Sequence, residues 1–455
     1  MLQSSVLLLD PASSTLRKSV WLLAWPAIVE MLLHMMVGIV DTAMVGRLGP
    51  DALASVGLAN QIFHLGTTVF AAIATGSTAL VARHIGAREP KGAANAAAQS
   101  LIMGFVAAGA VSLALVLYAR PLLGFLFRGT EPTVLALSTV YIRTVASVLI
   151  MHFFFILTNG VLRGAGDTQT PMRITAIVNV VNVTGNYLLI FGIGPFPALG
   201  VQGAAIATAL AHSLGGVLAL TVLFRRSTVP IHIRDLLHVD MTMIRRILHI
   251  GVPAAFEQST MRIGQLGYTM IVASLGTASY AAHQVALNAE SLSFMPGFGF
   301  SLAATTLVGQ NLGAKDSDRA EKSGLLSNQM AMTVMSVMGI LFFVFPEPLV
   351  SVFTTDAEVI RLASISLRII AVSQPALATI MVLAGGLRGA GDTKSIMKIT
   401  LLGFCIVRLG LAYVLAITLG WGLVGAWIAM AIDLFFRGYL MHARFMGGQW
   451  KTLKI

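Results

Sequence analysis

Twelve apolar stretches, each long enough to cross a lipid bilayer as a helix, constrain this chain more than any motif in it. They cover roughly residues 20–46, 52–81, 94–118, 134–160, 172–193, 200–224, 245–275, 278–308, 324–345, 358–384, 395–418 and 422–443. A helix rises ~1.5 Å per residue, so about 20 residues span a hydrocarbon core ~30 Å thick. Of the 455 residues, 56% are apolar and 11% charged, against about 25% charged in a soluble globular protein. The pattern therefore predicts an all-α polytopic membrane protein and argues against a soluble protein with a greasy core. The first run follows Arg17 and Lys18. It is too long for a signal-peptide core and has no clear small-residue cleavage site, so it is expected to stay as the first membrane helix. Cys405 is the single cysteine, which rules out an intrachain disulfide.

The net charge of +11 would suit a nucleic-acid binder if it were clustered, but its distribution follows the membrane. With the N-terminus in the cytoplasm, only Arg47, Arg120, Arg128 and Arg361 fall on the far side, and Arg143, Arg262, Arg368 and Arg408 lie within helices. The other lysines and arginines sit in tails, cytoplasmic loops or the helix ends beside them, as the positive-inside rule requires. This predicts twelve spans with both termini cytoplasmic, in the inner (plasma) membrane, in contact with lipid and with no nucleic-acid partner.

The chain is also written twice. LRGAGDT stands at 162–168 and again at 387–393, 225 residues later. Pro26 and Glu30 match Pro253 and Glu257, Gly49 matches Gly276, and Gly86-Ala87-Arg88 matches Gly313-Ala314-Lys315, all 227 residues apart. LGVQGAAIA near residue 200 corresponds to WGLVGAWIA near residue 422. Six helices per copy return the chain to its starting side, so the copies share orientation about an axis along the membrane normal. The predicted division is an N-terminal six-helix lobe over 1–224, a cytoplasmic linker over 225–244 and a C-terminal six-helix lobe over 245–455. A binding site is expected between the lobes near the midplane.

Polar residues inside the runs mark candidate chemistry. Pro26, Glu30, His34 and Asp41 fall on one stripe of the first helix, at ~100° per residue. Pro26 removes a backbone hydrogen bond and should bend that helix. An acid at membrane depth costs roughly 2.5–3.5 kcal/mol on insertion scales, so it usually has a partner or a task. Asp41 is read as an ion-responsive carboxylate. Asn179, Asn182 and Asn186 share one face of the fifth helix, and amides there serve either Na⁺ coordination or a protonated carboxyl, or simply join helices. The two copies diverge at these positions: Asp41 maps onto Tyr268 and Asn186 onto Arg408. Glu30 and Glu257 occur in both, which favours a structural or gating role. His34 lies one turn from Glu30, and a free histidine can change charge near neutral pH. His283 and Glu290 lie two turns apart on the eighth helix, with Pro296 below them as a bend. Arg408, Asp433 and Arg437 read as buried ion pairs. In LRGAGDT the glycines permit a turn, and Arg163–Asp167 and Arg388–Asp392 are expected to pair. GAGD lacks the spacing and preceding strand of a phosphate loop, and no HExxH or GxSxG supports an enzyme.

Taken together, VDTAMVGRLGPDALASVGLANQI, the paired GAGDT turns, NVTGNYLLIFG and VGQNLGAKD resemble the multidrug and toxic compound extrusion family over essentially the whole chain. The resemblance implies two parallel six-helix lobes in a V, with no cofactor beyond a coupling ion. It implies a secondary antiporter that exports small organic cations against an inward H⁺ or Na⁺ gradient, expected to act as a monomer. Asp41 resembles the family's first-helix acid, Pro26 its bending proline and Asn182 an amide partner. Asn186 stands where some members carry an aspartate, which leaves the local site one charge short for Na⁺. A sodium-coupled version would use Asp41, Asn182 and Asn186 as ligands. Glu30, His34, Glu257, Tyr268, His283 and Glu290 are then read as lining or gating the substrate cavity. The alternative within the wider superfamily, a lipid or polysaccharide-precursor flippase, calls for a strongly basic central cavity that these helices do not offer.

Overall fold

The computed structural model describes residues 16–226, 228–453 and 455. Apart from Leu16, the predicted N-terminal tail lies outside the described residues. Among them there is no strand. The first six predicted segments become α1 (Leu16–Gly46), α2 (Pro50–Gly86), α3 (Pro90–Leu126), the pair α4 (Pro132–Ala146) and α5 (Leu149–Gly164), α6 (Gln169–Phe191) and α7 (Val201–Arg226). The next six become α8 (Met241–Ala273), α9 (Thr277–Gly313), α10 (Ser317–Val344) with the short α11 (Pro346–Ser351), and the pair α12 (Ala357–Ala371) and α13 (Gln374–Ala390). They continue through α14 (Thr393–Thr400), α15 (Leu409–Ala412) and α16 (Gly422–Met446), with π-helical turns over Leu401–Arg408 and Tyr413–Thr418 on either side of α15. Among the described residues eight single helices, and two bent pairs if each pair is one span, are long and apolar enough to cross a membrane; α2 and α8, 37 and 33 residues long, stand at the other two predicted spans. Large apolar side chains such as Val106, Leu113 and Leu117 on α3 are exposed, as expected of a face that meets lipid.

The helices pack as two compact units. Among the described residues one comprises 29–85 and 89–248, the other 16–28, 86–88 and 249–455. The first turns of α1 therefore belong with the second unit: Trp21 lies 6.3 Å from Phe300, and a side chain at Gly299 would collide with Ile28. The connection predicted as a linker packs with the first unit. Asp240 caps α8, accepting from the backbone of Thr242 and Met243 and from the Asn95 amide at 2.7 Å. The Asn95 bond first, then the Met243 amide, holds the Asp240 carboxyl below its usual range.

The duplication is visible in geometry within each unit. Gly166 and Gly391 adopt φ of 94° and 87°, and Gly49 and Gly276 φ of 110° and 106°, a region open chiefly to glycine. Arg88 and Lys315, at matching positions, are the two non-glycine residues with positive φ among those described. The fourth span of each unit is broken at the same place, by 56° between α4 and α5 and 58° between α12 and α13. The hydropathy pattern reads each of these as one helix because both halves are apolar; the bend is set by packing. Each broken span meets the second helix of its unit through small residues. Thr78 Oγ1 donates to the Gly160 carbonyl at 3.0 Å and Thr305 Oγ1 to that of Gly385 at 2.9 Å. Small residues four apart let membrane helices approach closely: a Cβ at Gly164 would lie 2.6 Å from the Thr78 carbonyl oxygen, and one at Gly389 would run into that of Thr305.

Gly389→Ala is accordingly expected to destabilise the protein by about 1–3 kcal/mol through overpacking. Gly410→Ala, where nothing lies within 4 Å of the new methyl, should be neutral. Melting of the two purified variants side by side in detergent measures the difference.

Candidate functional site

The two buried glutamates find their partners first. Glu30 of α1 is fully buried and lies 3.3 Å from an Arg163 guanidinium nitrogen on α5. Glu257 of α8 is 4% exposed and 2.7 Å from Arg388 on α13. The expected pairs within LRGAGDT do not form. Asp167 instead accepts from the Thr170 backbone N–H at 2.9 Å, and Asp392 pairs with Arg444 at 2.8 Å. A buried carboxylate needs a counter-charge more than one near a helix end, where backbone donors are at hand. In each unit this pair joins the first helix to the fourth span.

Toward the other end of α1, Asp41 is half-buried and heads a chain of hydrogen bonds. The Asn186 amide donates to Asp41 Oδ1 at 2.6 Å and to Asn182 Oδ1 at 3.2 Å. Asn182 donates in turn to Thr208 Oγ1 on α7 at 3.3 Å. The residue that touches Asp41 is thus Asn186, with Asn182 one bond further along. Asn179 is apart from this chain, donating to the Leu33 carbonyl of α1 at 2.7 Å. Asn186 thus turns N–H rather than oxygen to the carboxylate, and the Asn182 oxygen accepts from that same amide. Among the described residues no group of three or more His, Cys, Asp or Glu is placed to hold a metal.

Tyr141 and Thr208 also line a cavity of about 220 Å³ within this unit. Its wall carries His152 and His212, stacked with ring centroids 3.9 Å apart and planes at 27°. Sequence reasoning missed both, because each is a lone histidine in a different span and no spacing links them. His34 is exposed on α1. That helix runs unbroken through Pro26, as α9 does through Pro296.

The second unit fills the equivalent positions differently. Tyr268, at the place of Asp41, is fully buried, and the guanidinium of Arg408, at the place of Asn186, lies 5.9 Å from its ring centre. Arg408 and Arg437 share the carboxylate of Asp433, at 2.8 and 2.7 Å. His283 is fully buried between Tyr268 and Trp427, 5.5 and 5.6 Å from their rings. Glu290, 2% exposed, faces a cavity of about 250 Å³ that Glu257, Arg388, Arg408 and Arg437 also line.

Comparison with known proteins bears on this arrangement. The family model described as MatE matches residues 26–188 and 253–414, one match in each copy. The chain belongs to the MatE family. Among MatE relatives, a probable multidrug resistance protein NorM of Thermotoga maritima is 34% identical over 440 residues, 96% of this chain and 93% of that one. A Bacillus subtilis protein described as an uncharacterized transporter, YisQ, is 28% identical over 446 residues, 98% of this chain and 97% of its own length. The fold agrees with a solved structure described as the outward-facing conformation of a multidrug resistance MATE family transporter, with a TM-score of 0.89, 23% identity and 99% of both chains covered. The MatE fold here is an all-helical, twelve-span membrane transporter.

Its paired ion bridges give a direct test. Arg388→Met strands the buried Glu257 charge and should cost ~3–5 kcal/mol. The double change Glu257→Leu with Arg388→Met removes both charges and should recover most of that loss, read as melting temperature in detergent.

Proposed function

We propose that this chain exports small organic cations, drugs among them, in exchange for inward protons, with Asp41 as the carboxylate that carries the coupling ion and with both termini in the cytoplasm. The observation that supports this most is the hydrogen-bond chain from Asp41 through Asn186 and Asn182 to Thr208, which lines the cavity of this unit. An amide is a donor on one side and an acceptor on the other. Toward the ionised carboxylate Asn186 presents N–H, while its own Oδ1 is buried without a partner. A protonated Asp41 offers an O–H instead, which the Asn186 oxygen accepts once the amide turns over. That turn withdraws the N–H from Asn182, whose own partner Thr208 stands at the cavity wall. Proton binding near one end of α1 is thereby felt where a substrate would lie.

The name of the T. maritima relative, a probable multidrug resistance protein, favours drug efflux over the flippase alternative. Protons are preferred to sodium because Asn186 turns an N–H, not an oxygen, to Asp41. Transport follows only if substrate and proton bind the two access states with different affinities. In proteoliposomes with separately imposed gradients, a pH gradient should drive efflux of a fluorescent organic cation and a sodium gradient should not. Asp41→Asn should reduce pH-driven efflux to the rate of empty liposomes; undiminished efflux by that variant would refute the coupling role.

A further inference from the structure

The cavity of the second unit has a charge arrangement that cation export does not use. Arg408 and Arg437 are 6% and 4% exposed, yet between them they have one carboxylate, Asp433. Arg408 donates through Nε, and Arg437 through Nε and one terminal nitrogen. A guanidinium carries five N–H donors, so several remain for a ligand. Both side chains line the cavity and stack on Phe404, with guanidinium carbons 4.2 and 5.4 Å from its ring centre. The backbone is shaped to this cluster. Leu401–Arg408 is π-helical where its counterpart α6 is regular, and π turns recur at functional sites. Gly403 is required as well: a Cβ there would strike the Arg437 side chain and lie 2.7 Å from Asp433 Oδ1.

Glu290 is the other half of the arrangement. It faces the same cavity, 2% exposed. Its carboxyl group has no hydrogen bond or ion pair among the described residues, and Oε2 is wholly buried. The charged wall comprises Arg388, Arg408 and Arg437 with Glu257 and Glu290, and Asp433 stands behind Arg408 and Arg437 as their shared partner. Glu257 and Asp433 are held by short ion pairs. The proton on Glu290 therefore decides whether this wall is neutral or carries one surplus positive charge. The charged groups that share its cavity are Glu257 on α8, Arg388 on α13, Arg408 on the π turn and Arg437 on α16; Asp433 lies behind the last two, Tyr268 beside Arg408 and His283, on the same helix as Glu290, beside Tyr268. Among the described residues, α10 and α12 place no charged side chain on the wall. The rest of the wall is mostly apolar, with Met261, Met381, Phe294 and Phe298 among it, soft and aromatic, and with the uncharged polar Gln258, Gln265, Ser301 and Thr400.

We propose that this cavity binds the carboxylate of an aromatic organic acid or zwitterion through Arg408 and Arg437, and that Glu290 takes up a proton from water as the anion enters. The surplus guanidinium charge receives the carboxylate bidentately, as arginine does in general, and the rings and methionines receive the aromatic body. Neutralising Glu290 restores the charge balance that the ligand's negative group would otherwise upset.

The test uses 2-naphthoate, with 2-naphthamide as its uncharged analogue, titrated calorimetrically into the purified full-length protein in detergent. Two buffers of different ionisation enthalpy count the protons taken up. The acid should bind roughly tenfold or more tightly than the amide, with proton uptake. Glu290→Gln fixes the wall at one surplus positive charge, so it should bind 2-naphthoate more tightly and with no proton uptake. Arg408→Gln leaves Asp433 one arginine and should weaken binding by roughly tenfold. Opposite shifts in the two variants are a signature that damage to the fold does not produce. Shifts in the same direction, or equal affinity for acid and amide, would overturn the proposal. No gradient is involved and Asp41 lies in the other unit, so either result leaves the coupling role of Asp41 to its own experiment.

Discussion

The hydrocarbon core of a bilayer offers no partner to a charge or a hydrogen-bonding group, so each polar side chain placed there must be answered from within the protein. Glu30 with Arg163, Glu257 with Arg388 and the Asp433 cluster meet that condition by direct ion pairing. Such pairs add little net stability over well-packed apolar residues, but leaving one member alone is costly. They act as pins: a first helix that slid or rotated against its fourth span would strand a charge. Close approach of the second helix to that same span, through Gly160 and Gly164 or Gly385 and Gly389, fixes the remaining freedom.

The two pinned units diverge in what they leave adjustable. In the first, Asp41 is half-buried and bound by a neutral amide, a partner that serves both its ionised and its protonated forms. In the second, the matching positions hold Tyr268 and Arg408, a permanent cation over a ring, and the adjustable group has moved to Glu290. Duplication supplied one scaffold twice, and substitution at two matching positions gave the copies opposite electrostatic character. The π turns of the eleventh span add to the asymmetry, since α6 has none.

Much of the site was legible before any coordinates. Asp41, Asn182 and Asn186 stand out because polar residues at helical spacing are rare in such apolar runs, and they do form one network. The order of that network was not legible: a shared face of α6 does not say that Asn186 touches Asp41, that Asn182 stands behind it, or that Asn179 turns to the Leu33 carbonyl. The Arg163–Asp167 pairing was misread because nearness in sequence suggested it. The recurrence of both Glu30 and Arg163 in the second copy, as Glu257 and Arg388, was the signal that could have joined them. His152 and His212 had no signal of that kind.

The sequence by itself determined the number of spans, their helical nature, the duplication and the family, because hydropathy length and repeated motifs are local properties that survive without knowledge of packing. Tertiary structure decided the breaks at 146–149 and 371–374, the stacked histidines, the ion pairs across some 130 residues of chain and the assignment of the first turns of α1 to the second unit. Those features depend on which helix faces lie against each other, and many faces of similar hydropathy compete for each place. Only the assembled chain selects among them.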